Sequence, residues 1–155
     1  MGWFLLLVVI GVVVYAYLQH SSSKSDESAE STGPAGKVKG PGEFRFDIVG
    51  ESHYQQALTR IAGPKTEDGV DHLCLAELVL DDGNKYDDKA VRVEIEGQTV
   101  GHMTRENARQ WRAELAKQGV SSARMFVEAR IVGGWDRGGG DRGSYGVKLD
   151  LPLAD

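Results

Sequence analysis

The sequence predicts a mainly β protein: a small, partly closed antiparallel β-barrel of about six strands with two short helices, preceded by one N-terminal transmembrane helix. Three observations support this prediction. Apolar and polar residues alternate in several short segments, turns rich in glycine, aspartate and asparagine separate these segments, and an uncharged apolar stretch begins at Trp3. The chain has 155 residues, which leaves room for one domain of ordinary size after that stretch.

Residues 3–18 read WFLLLVVIGVVVYAYL and contain neither a charge nor a proline. A helix of this length spans about 24 Å, and neighbouring residues extend it toward the roughly 30 Å of a hydrocarbon core. We therefore predict a transmembrane anchor over 1–18 that contacts the membrane through residues 2–20. A cleaved signal peptide fits less well, because no Lys or Arg precedes the apolar stretch, and a buried core helix is the remaining alternative.

Serine, glycine, proline and small charged residues dominate 19–42, and no apolar period is present. Such a segment cannot bury enough surface to offset its ordering entropy, so it predicts a disordered linker before a domain over 43–155. No Lys or Arg precedes the apolar stretch, whereas Lys24, Lys37 and Lys39 follow it. The positive-inside rule therefore favours a single-pass protein of the cell (inner) membrane with a cytoplasmic domain.

The first half of the domain predicts two strands, a helix and a turn-rich loop. FRFDIVG over 44–50 alternates and predicts a half-buried strand. YQQALTRIA over 54–62 is followed by Gly-Pro, which is typical of a short helix and its end. The apolar run over 73–80 predicts a second strand, and the segment over 81–88, rich in aspartate, predicts a loop.

The second half of the domain alternates more regularly and adds four strands, the last two joined by a glycine-rich hairpin loop. These predicted strands cover 90–97, 99–103, 123–132 and 144–151. Between the second and third of them, Thr104 is suited to cap a helix that Gly119 ends. The residues predicted to face the core are Phe44, Phe46, Ile48, Val91, Val93, Ile95, Ala108, Trp111, Leu115, Ala123, Met125, Val127, Ala129, Ile131, Tyr145, Val147, Leu149 and Leu151.

The charge balance limits the functions open to this chain. It carries 18 Lys and Arg against 23 Asp and Glu, a formal net charge of −5. Because the anchor and linker carry three residues of each sign, the whole acidic excess falls on the domain. An acidic domain is a poor candidate for tight non-specific nucleic-acid binding, which depends on many contacts between cations and phosphates. Its most basic segment is 105–130, with six Lys and Arg against three Glu.

The sequence contains no catalytic or metal-binding motif. His72 and Cys74 supply two ligands at most, which is not a zinc site. The acidic loop over 81–88 departs from the EF-hand register, and the glycine-rich loop lacks the Gly-Lys-Ser/Thr of a phosphate cradle. No serine, cysteine or carboxylate arrangement for catalysis is present. We therefore predict no catalytic residue, no metal site and no cofactor, and a protein that is not an enzyme.

A set of polar and aromatic residues remains where the predicted strands end. Aromatic rings mixed with hydrogen-bonding groups in loops suit a flat polar ligand such as an unpaired base. The candidate binding residues are Ser52, His53, Tyr54, Asn84, Tyr86, Asp87, His102, Arg105 and Tyr145. The alternative interpretation is that Tyr86 and Asp87 only build a turn.

At these residues the sequence resembles the HIRAN domain family. The matching segments are IVGESHYQQAL over 48–58, AELVLDDGNKYDDKAVRVEIEGQTVGHM over 76–103 and GSYGVKLDL over 143–151, and their order and spacing match across 45–151. The specific part is NxYDxxAVxV followed by VGHM. The resemblance implies a small OB-like β-barrel with accessory helices. It also implies capture of the 3′ end of single-stranded DNA, as in members that sit beside helicase-like motors; bacterial relatives also occur as stand-alone domains.

The resemblance further implies roles for single residues. Tyr86 would pack on a base, and Asp87 would accept a hydrogen bond from the terminal 3′-hydroxyl. His102 and Arg105 would contact the nucleic-acid backbone, and Tyr145 would stack on a second base. These roles describe a short groove that holds the end of one strand.

Two positions depart from the family pattern. Ser52-His53 stands where the DNA-end binders carry an Arg-Tyr pair, and the missing arginine removes a charge-assisted contact to phosphate. Asn84 matches a polar residue of the groove, but Lys85 stands where a proline usually separates it from the tyrosine. Both departures concern ligand binding, whereas the strand pattern is kept.

Three classes of function follow from these observations. The first is a membrane-tethered module that binds single-stranded nucleic acid, with DNA 3′ ends as the specific ligand. The second is a protein- or peptide-interaction module that keeps the barrel without DNA affinity, with a partner such as a helicase or nuclease. The third is an enzyme, for which the chain offers no P-loop or hydrolase motif. Because one fold can host different functions, the residues of the site, and not the fold, distinguish these three classes.

Overall fold

The structure is a computed structural model, and it describes residues 35–120 and 124–154. Its strands are β1 (Ala35–Lys37), β2 (Phe46–Val49), β3 (Val70–Asp81), β4 (Ala90–Ile95), β5 (Gln98–Met103), β6 (Arg124–Gly133) and β7 (Tyr145–Leu149). Its helices are a 3-10 helix (Glu51–His53), α1 (Gln55–Ala62) and α2 (Arg105–Lys117). The predicted anchor over 1–18 lies outside the described residues. Within them, no helix combines the length and the apolar character needed to cross a membrane.

Six of the strands form a closed barrel in the order β6-β3-β4-β5-β2-β7, and β7 pairs with β6 to complete the ring. All six pairings are antiparallel. The closing strand β7 reaches β2 through the pair of Phe46 with Leu149, and it pairs with β6 along its whole length. The prediction of a mainly β, antiparallel barrel with two α-helices is therefore confirmed, and the barrel is closed where the sequence predicted partial closure.

Strand β1 lies outside this ring and pairs in parallel with the start of β6. Beyond its end, the amide of Val38 donates to the carbonyl oxygen of Phe126 at 2.8 Å, and the Val38 side chain is buried. The predicted disordered linker over 19–42 is therefore too long, because residues 35–42 belong to the folded domain. Composition did not reveal that residues 35–42 are folded, because backbone hydrogen bonds to β6 order the segment and few of its side chains are apolar.

A buried carboxylate fixes the next part of the same segment. Asp150, just after β7, accepts from the amide of Gly42 with both oxygens, at 2.8 and 3.0 Å, and from the amide of Glu43 at 3.1 Å. A buried charge is stable only when it is paired or hydrogen-bonded in this way. The N-terminal segment and the C-terminal end of the barrel therefore hold each other in place.

Alternate residues of the strands face the barrel interior, as the sequence predicted. The described residues predicted to face the core from β4, β6 and β7 are all buried, and α1 adds Leu58 while α2 adds Trp111 and Leu115. Phe44 is the exception. It precedes β2 with a φ of 49°, and its half-buried ring lies against a β6 guanidinium, 4.8 Å from the ring centroid. Ala123, also predicted to face inward, lies outside the described residues.

A β-bulge in β5 determines which side chains reach the outer wall of the barrel. The register between β4 and β5 slips by one residue at Val100, so that Val100 and Gly101 are both buried and His102 lies outside, beside Arg92. Gly101 has a φ of 156°, and a β-carbon on it would lie 2.7 Å from the carbonyl oxygen of Val49. Glycine at this position therefore lets β2 approach β5 closely enough to pair beside His102.

The two ends of the barrel carry different loops. At one end, Val70 at the start of β3 pairs with Gly133, which in turn pairs with Tyr145, so the glycine-rich loop between β6 and β7 lies there. At the other end, Asp81 pairs with Ala90, so the loop between β3 and β4 lies there. Helix α2 packs beside β4 and β5.

Candidate nucleic-acid interface

A row of side chains crosses the outer wall of the barrel. His102 of β5 pairs with Arg92 of β4 on one side and with the exposed Val49 of β2 on the other. Asp81 at the end of β3 joins this row, because its Oδ2 lies 3.8 Å from both the Nε2 of His102 and the Nη1 of Arg92. The row therefore connects β2 with the loop that follows Asp81.

The loop over 82–89, called here the Tyr86 loop, is held by Asn84. The Oδ1 of Asn84 accepts from the amides of Tyr86 and Asp87 at 3.0 and 3.2 Å, and its Nδ2 donates to Asp81 at 3.1 Å. This is the turn that short polar side chains build with their own backbone. Tyr86 is 78% exposed at the tip, with the Nζ of Lys85 5.0 Å from its ring centroid. Asn84 therefore presents Tyr86 to solvent.

Two arginines share the carboxylate of Asp87. Arg109 donates to both of its oxygens at 3.2 and 3.3 Å, and the Nε of Arg105 lies 3.7 Å from Oδ2. The amide of Lys89 donates to Oδ1 at 3.0 Å. The pKa of Asp87 lies below its ordinary value of 3.8. The hydrogen bond from the Arg109 side chain is the largest cause, and the hydrogen bond from the Lys89 amide is the second. Asp87 is therefore ionised at neutral pH and can only accept hydrogen bonds.

Helix α2 brings a third arginine to the same loop. Arg105, Arg109 and Arg112 are spaced by four and three residues, so they lie on one face of the helix, and all three contact the Tyr86 loop. The sequence prediction placed all three in the basic segment over 105–130 but named only Arg105 as a binding residue, although this spacing was readable. The remaining cations of the basic segment over 105–130 form other ion pairs: Lys117 with Glu114 within α2, and, between β6 and β3, Arg124 with Glu77 and Arg130 with Asp71.

The 3-10 helix adjoins the β2 end of the row. Ser52 and His53 are exposed there, and the helix packs beside β5 and β7. Tyr54 is half-buried at the start of α1, with its ring edge-on to that of His53 at a centroid distance of 6.5 Å. Gln55 ties this segment to the barrel, because its side-chain amide exchanges two hydrogen bonds of 2.9 Å with the backbone of Tyr145. Ser52 and His53 thus follow Val49 along the chain, at the β2 end of the row.

Tyr145 does not belong to this surface. Its side chain is 2% exposed in the core, and its hydroxyl donates to the carbonyl oxygen of Gly63 at 2.7 Å. Gly134 lies against its ring, so little space remains on that face. The predicted stacking of Tyr145 on a base is therefore wrong for this structure, because the alternation of β7 directs the ring inward with Val147 and Leu149.

Cys74 and His72 lie half-buried on β3, away from the Tyr86 loop. Burial first, and the nearby carboxylate of Glu96 second, raise the pKa of the Cys74 thiol to about 11. The thiol is therefore protonated at neutral pH, where it is a weak nucleophile. Across 35–120 and 124–154, no three His, Cys, Asp or Glu side chains come close enough to hold a metal ion.

Models of protein families give no match to this sequence, and neither do curated proteins. A solved structure is similar to part of the chain. It is the crystal structure of the HIRAN domain of human HLTF, with 18% identity and a TM-score of 0.32 over 67% of this chain and 71% of that chain.

Proposed function

We propose that the domain is a binding module for single-stranded nucleic acid, which binds at the Tyr86 loop and the arginines beside it. The observation that carries this proposal is the 78% exposed ring of Tyr86 on a loop with a hydrogen-bonded backbone. A ring held in this way offers a face to a base, and such stacking contributes about 1–3 kcal/mol per base. Because every base has a flat face, we expect little sequence preference.

The charges around Tyr86 favour a ligand that carries phosphates. Arg105 and Arg109 share the one carboxylate of Asp87, so this group keeps a positive charge, and Lys85 adds a second beside the ring. Arginine side chains donate readily to phosphate oxygens. Because the whole chain has a net charge of −5, the attraction is local, and we expect a modest affinity that falls with salt.

The finer form of this proposal is a preference for a free 3′ end. The carboxylate of Asp87 has about four lone-pair positions. Arg109 and Lys89 occupy three of them, which leaves one position on Oδ2, the oxygen that Arg105 also faces at 3.7 Å, for a hydroxyl to share. The sequence resemblance to HIRAN domains indicates that the 3′-hydroxyl is the group to test.

The test is the binding of the purified full chain to an oligothymidylate strand across a series of salt concentrations. Tyr86→Ala should weaken binding by about 1–3 kcal/mol through lost stacking, with an unchanged salt slope because no charge is removed. The matched control is Tyr86→Phe, which keeps the ring and should bind like the unchanged chain. Equal affinity of Tyr86→Ala, or no binding of the unchanged chain at low salt, would contradict the proposal.

A protein-interaction module is the second candidate, and a different surface favours it. Leu73 and Leu75 are 57% and 45% exposed on β3. Among the described residues, the Val70–Leu75 half of β3 has a ladder partner on the β6 side only. An unpaired strand edge with apolar side chains suits an extended peptide from a protein partner. Leu75→Lys should leave single-strand binding unchanged if the first proposal holds.

We also propose that residues 2–20 hold this module at the cell membrane and that the domain faces the cytoplasm. The support is the uncharged apolar segment over 3–18 and the lysines that follow it. Single-stranded nucleic acid is accessible from that side of the membrane. The protein then acts as a tethered binding module and not as an enzyme.

A further inference from the structure

Arg112 of α2 joins the two ends of the Tyr86 loop. Its Nη1 lies 2.8 Å from a carboxylate oxygen of Asp82, where the loop begins. Its Nε and Nη2 donate to the carbonyl oxygens of Lys89 and Ala90, each at 2.8 Å, where the loop ends. All three nitrogens of the guanidinium group are thus used within the fold, and the side chain is only 16% exposed.

The loop between these ends also has contacts of its own. Asn84 shapes its first half, and Arg109 and Arg105 reach Asp87 in its second half. Tyr86 itself is exposed, so its own packing adds little to its position. The position of the ring therefore depends on the backbone of the loop, which Arg112 closes at its base.

We infer that Arg112 is a positioning residue, which sets the affinity for a single strand by holding the Tyr86 loop without touching the ligand. A ring that is already in place when a base arrives does not lose conformational freedom on binding, and this is the general advantage of a preorganised site. Arg109 differs in kind, because its guanidinium is more exposed and remains available to phosphate. This inference rests on the proposed function for its effect on binding, but its effect on the loop is independent of any ligand.

Lysine cannot replace Arg112 in this arrangement. The guanidinium group directs three nitrogens in a fixed plane to three acceptors, whereas an ammonium group is a single point on a flexible chain. Arg112→Lys therefore removes the closure and keeps the charge. Any change in affinity then reports the position of the loop, because the electrostatic attraction to phosphate is retained.

The first measurement uses the full chain without ligand. The amide of Asn84 donates to the carbonyl oxygen of Asp81 at the end of β3, and the amide of Ala90 donates to that of Asp87, so their hydrogen exchange reports whether the loop stays closed. Arg112→Lys should raise both exchange rates, and Asp82→Ala, which removes one of the three contacts, should raise them less. The matched control is Arg60→Lys on α1, where the guanidinium makes one exposed hydrogen bond to Gln98, and it should change neither rate. Unchanged exchange in Arg112→Lys would overturn the inference.

The second measurement is the binding of a labelled oligothymidylate strand to the same variants. Arg112→Lys should bind about tenfold more weakly, which corresponds to about 1.4 kcal/mol, with the salt slope of the unchanged chain. Faster exchange with unchanged affinity would overturn the inference about binding. If the unchanged chain does not bind the strand, the proposed function fails, and the exchange rates still decide whether Arg112 holds the loop.

Discussion

The carboxylate of Asp87 makes two kinds of contact, ion pairs and a hydrogen bond. It is the counter-ion of Arg105 and Arg109, and it accepts the amide of Lys89 that shapes the turn. As a counter-ion it competes with phosphate for the two arginines, whereas as an acceptor it would favour a free 3′-hydroxyl. The two roles predict opposite effects of its charge on different ligands.

This opposition gives a prediction for Asp87→Asn. The amide oxygen can still accept from Lys89, so the turn should persist, while the negative charge near Arg105 and Arg109 is lost. Strands blocked by a 3′-phosphate should then bind at least as tightly as they bind the unchanged chain, and strands with a free 3′-hydroxyl should bind less tightly. Competition between the two strands measures the difference. An equal loss for both ligands, together with a lower thermal stability, would mean that Asp87 only shapes the turn.

The sequence predicted the residues of this surface unevenly. Asn84, Tyr86, Asp87, His102 and Arg105 lie together in the structure, because each is close in sequence to the end of a strand or the start of a helix. Arg109 and Arg112 were predicted only as members of a basic segment and not as binding residues, since their role depends on which loop the helix faces. That contact is tertiary, and no local pattern specifies it.

At the scale of the elements, alternation determined most of the fold. The predicted strands and helices correspond to β2 through β7, α1 and α2, because each buries one face and exposes the other. Closure of the ring and the pairing of β1 were not predictable in the same way. Both depend on backbone hydrogen bonds between segments far apart in sequence. Side-chain alternation does not specify which residues of two such segments pair. The sequence predicted Tyr145 both as a core residue and as a ligand contact. In the structure its side chain lies in the core, because of its place on β7.

The bulge in β5 gives a prediction at this scale. A side chain at position 101 would need a φ of 156° and would crowd the carbonyl oxygen of Val49, so Gly101→Ala should lower the free energy of unfolding by about 1–3 kcal/mol. Urea denaturation measures this change. The matched control is Gly83→Ala, where a β-carbon would meet no atom within 4 Å and which should change stability little. Equal stability of the two variants would mean that β2 and β5 can separate locally without cost.

At the scale of the whole molecule, the domain is longer at its N-terminal side than composition indicated. A chain that begins at residue 34 keeps β1 and the amides bound by Asp150, whereas one that begins at residue 44 leaves the Asp150 carboxylate without those donors. The shorter chain should be less stable by about 1–3 kcal/mol or more, seen as a lower melting temperature. In an Asp150→Asn background the same truncation should cost less. Equal melting temperatures for the two lengths would contradict this account of the segment.

The same set of chains tests the anchor. The full chain should sediment with membranes and remain there after alkaline carbonate, because the apolar segment over 3–18 is long enough to hold it. The chain that begins at residue 34 should not sediment. Recovery of the intact full chain in the soluble fraction would exclude a transmembrane anchor.

The glycine-rich loop between β6 and β7 makes the barrel tolerant of added sequence. Gly138, Gly139 and Gly140 have φ values of 77°, 59° and 91°, and a β-carbon on any of them would meet no atom within 4 Å. Extra residues inserted here cost mainly loop-closure entropy, which rises slowly with length. The loop also lies at the barrel end opposite the Tyr86 loop. A second domain, or a fluorescent reporter, can therefore be spliced into the chain at this point while the proposed ligand surface stays accessible.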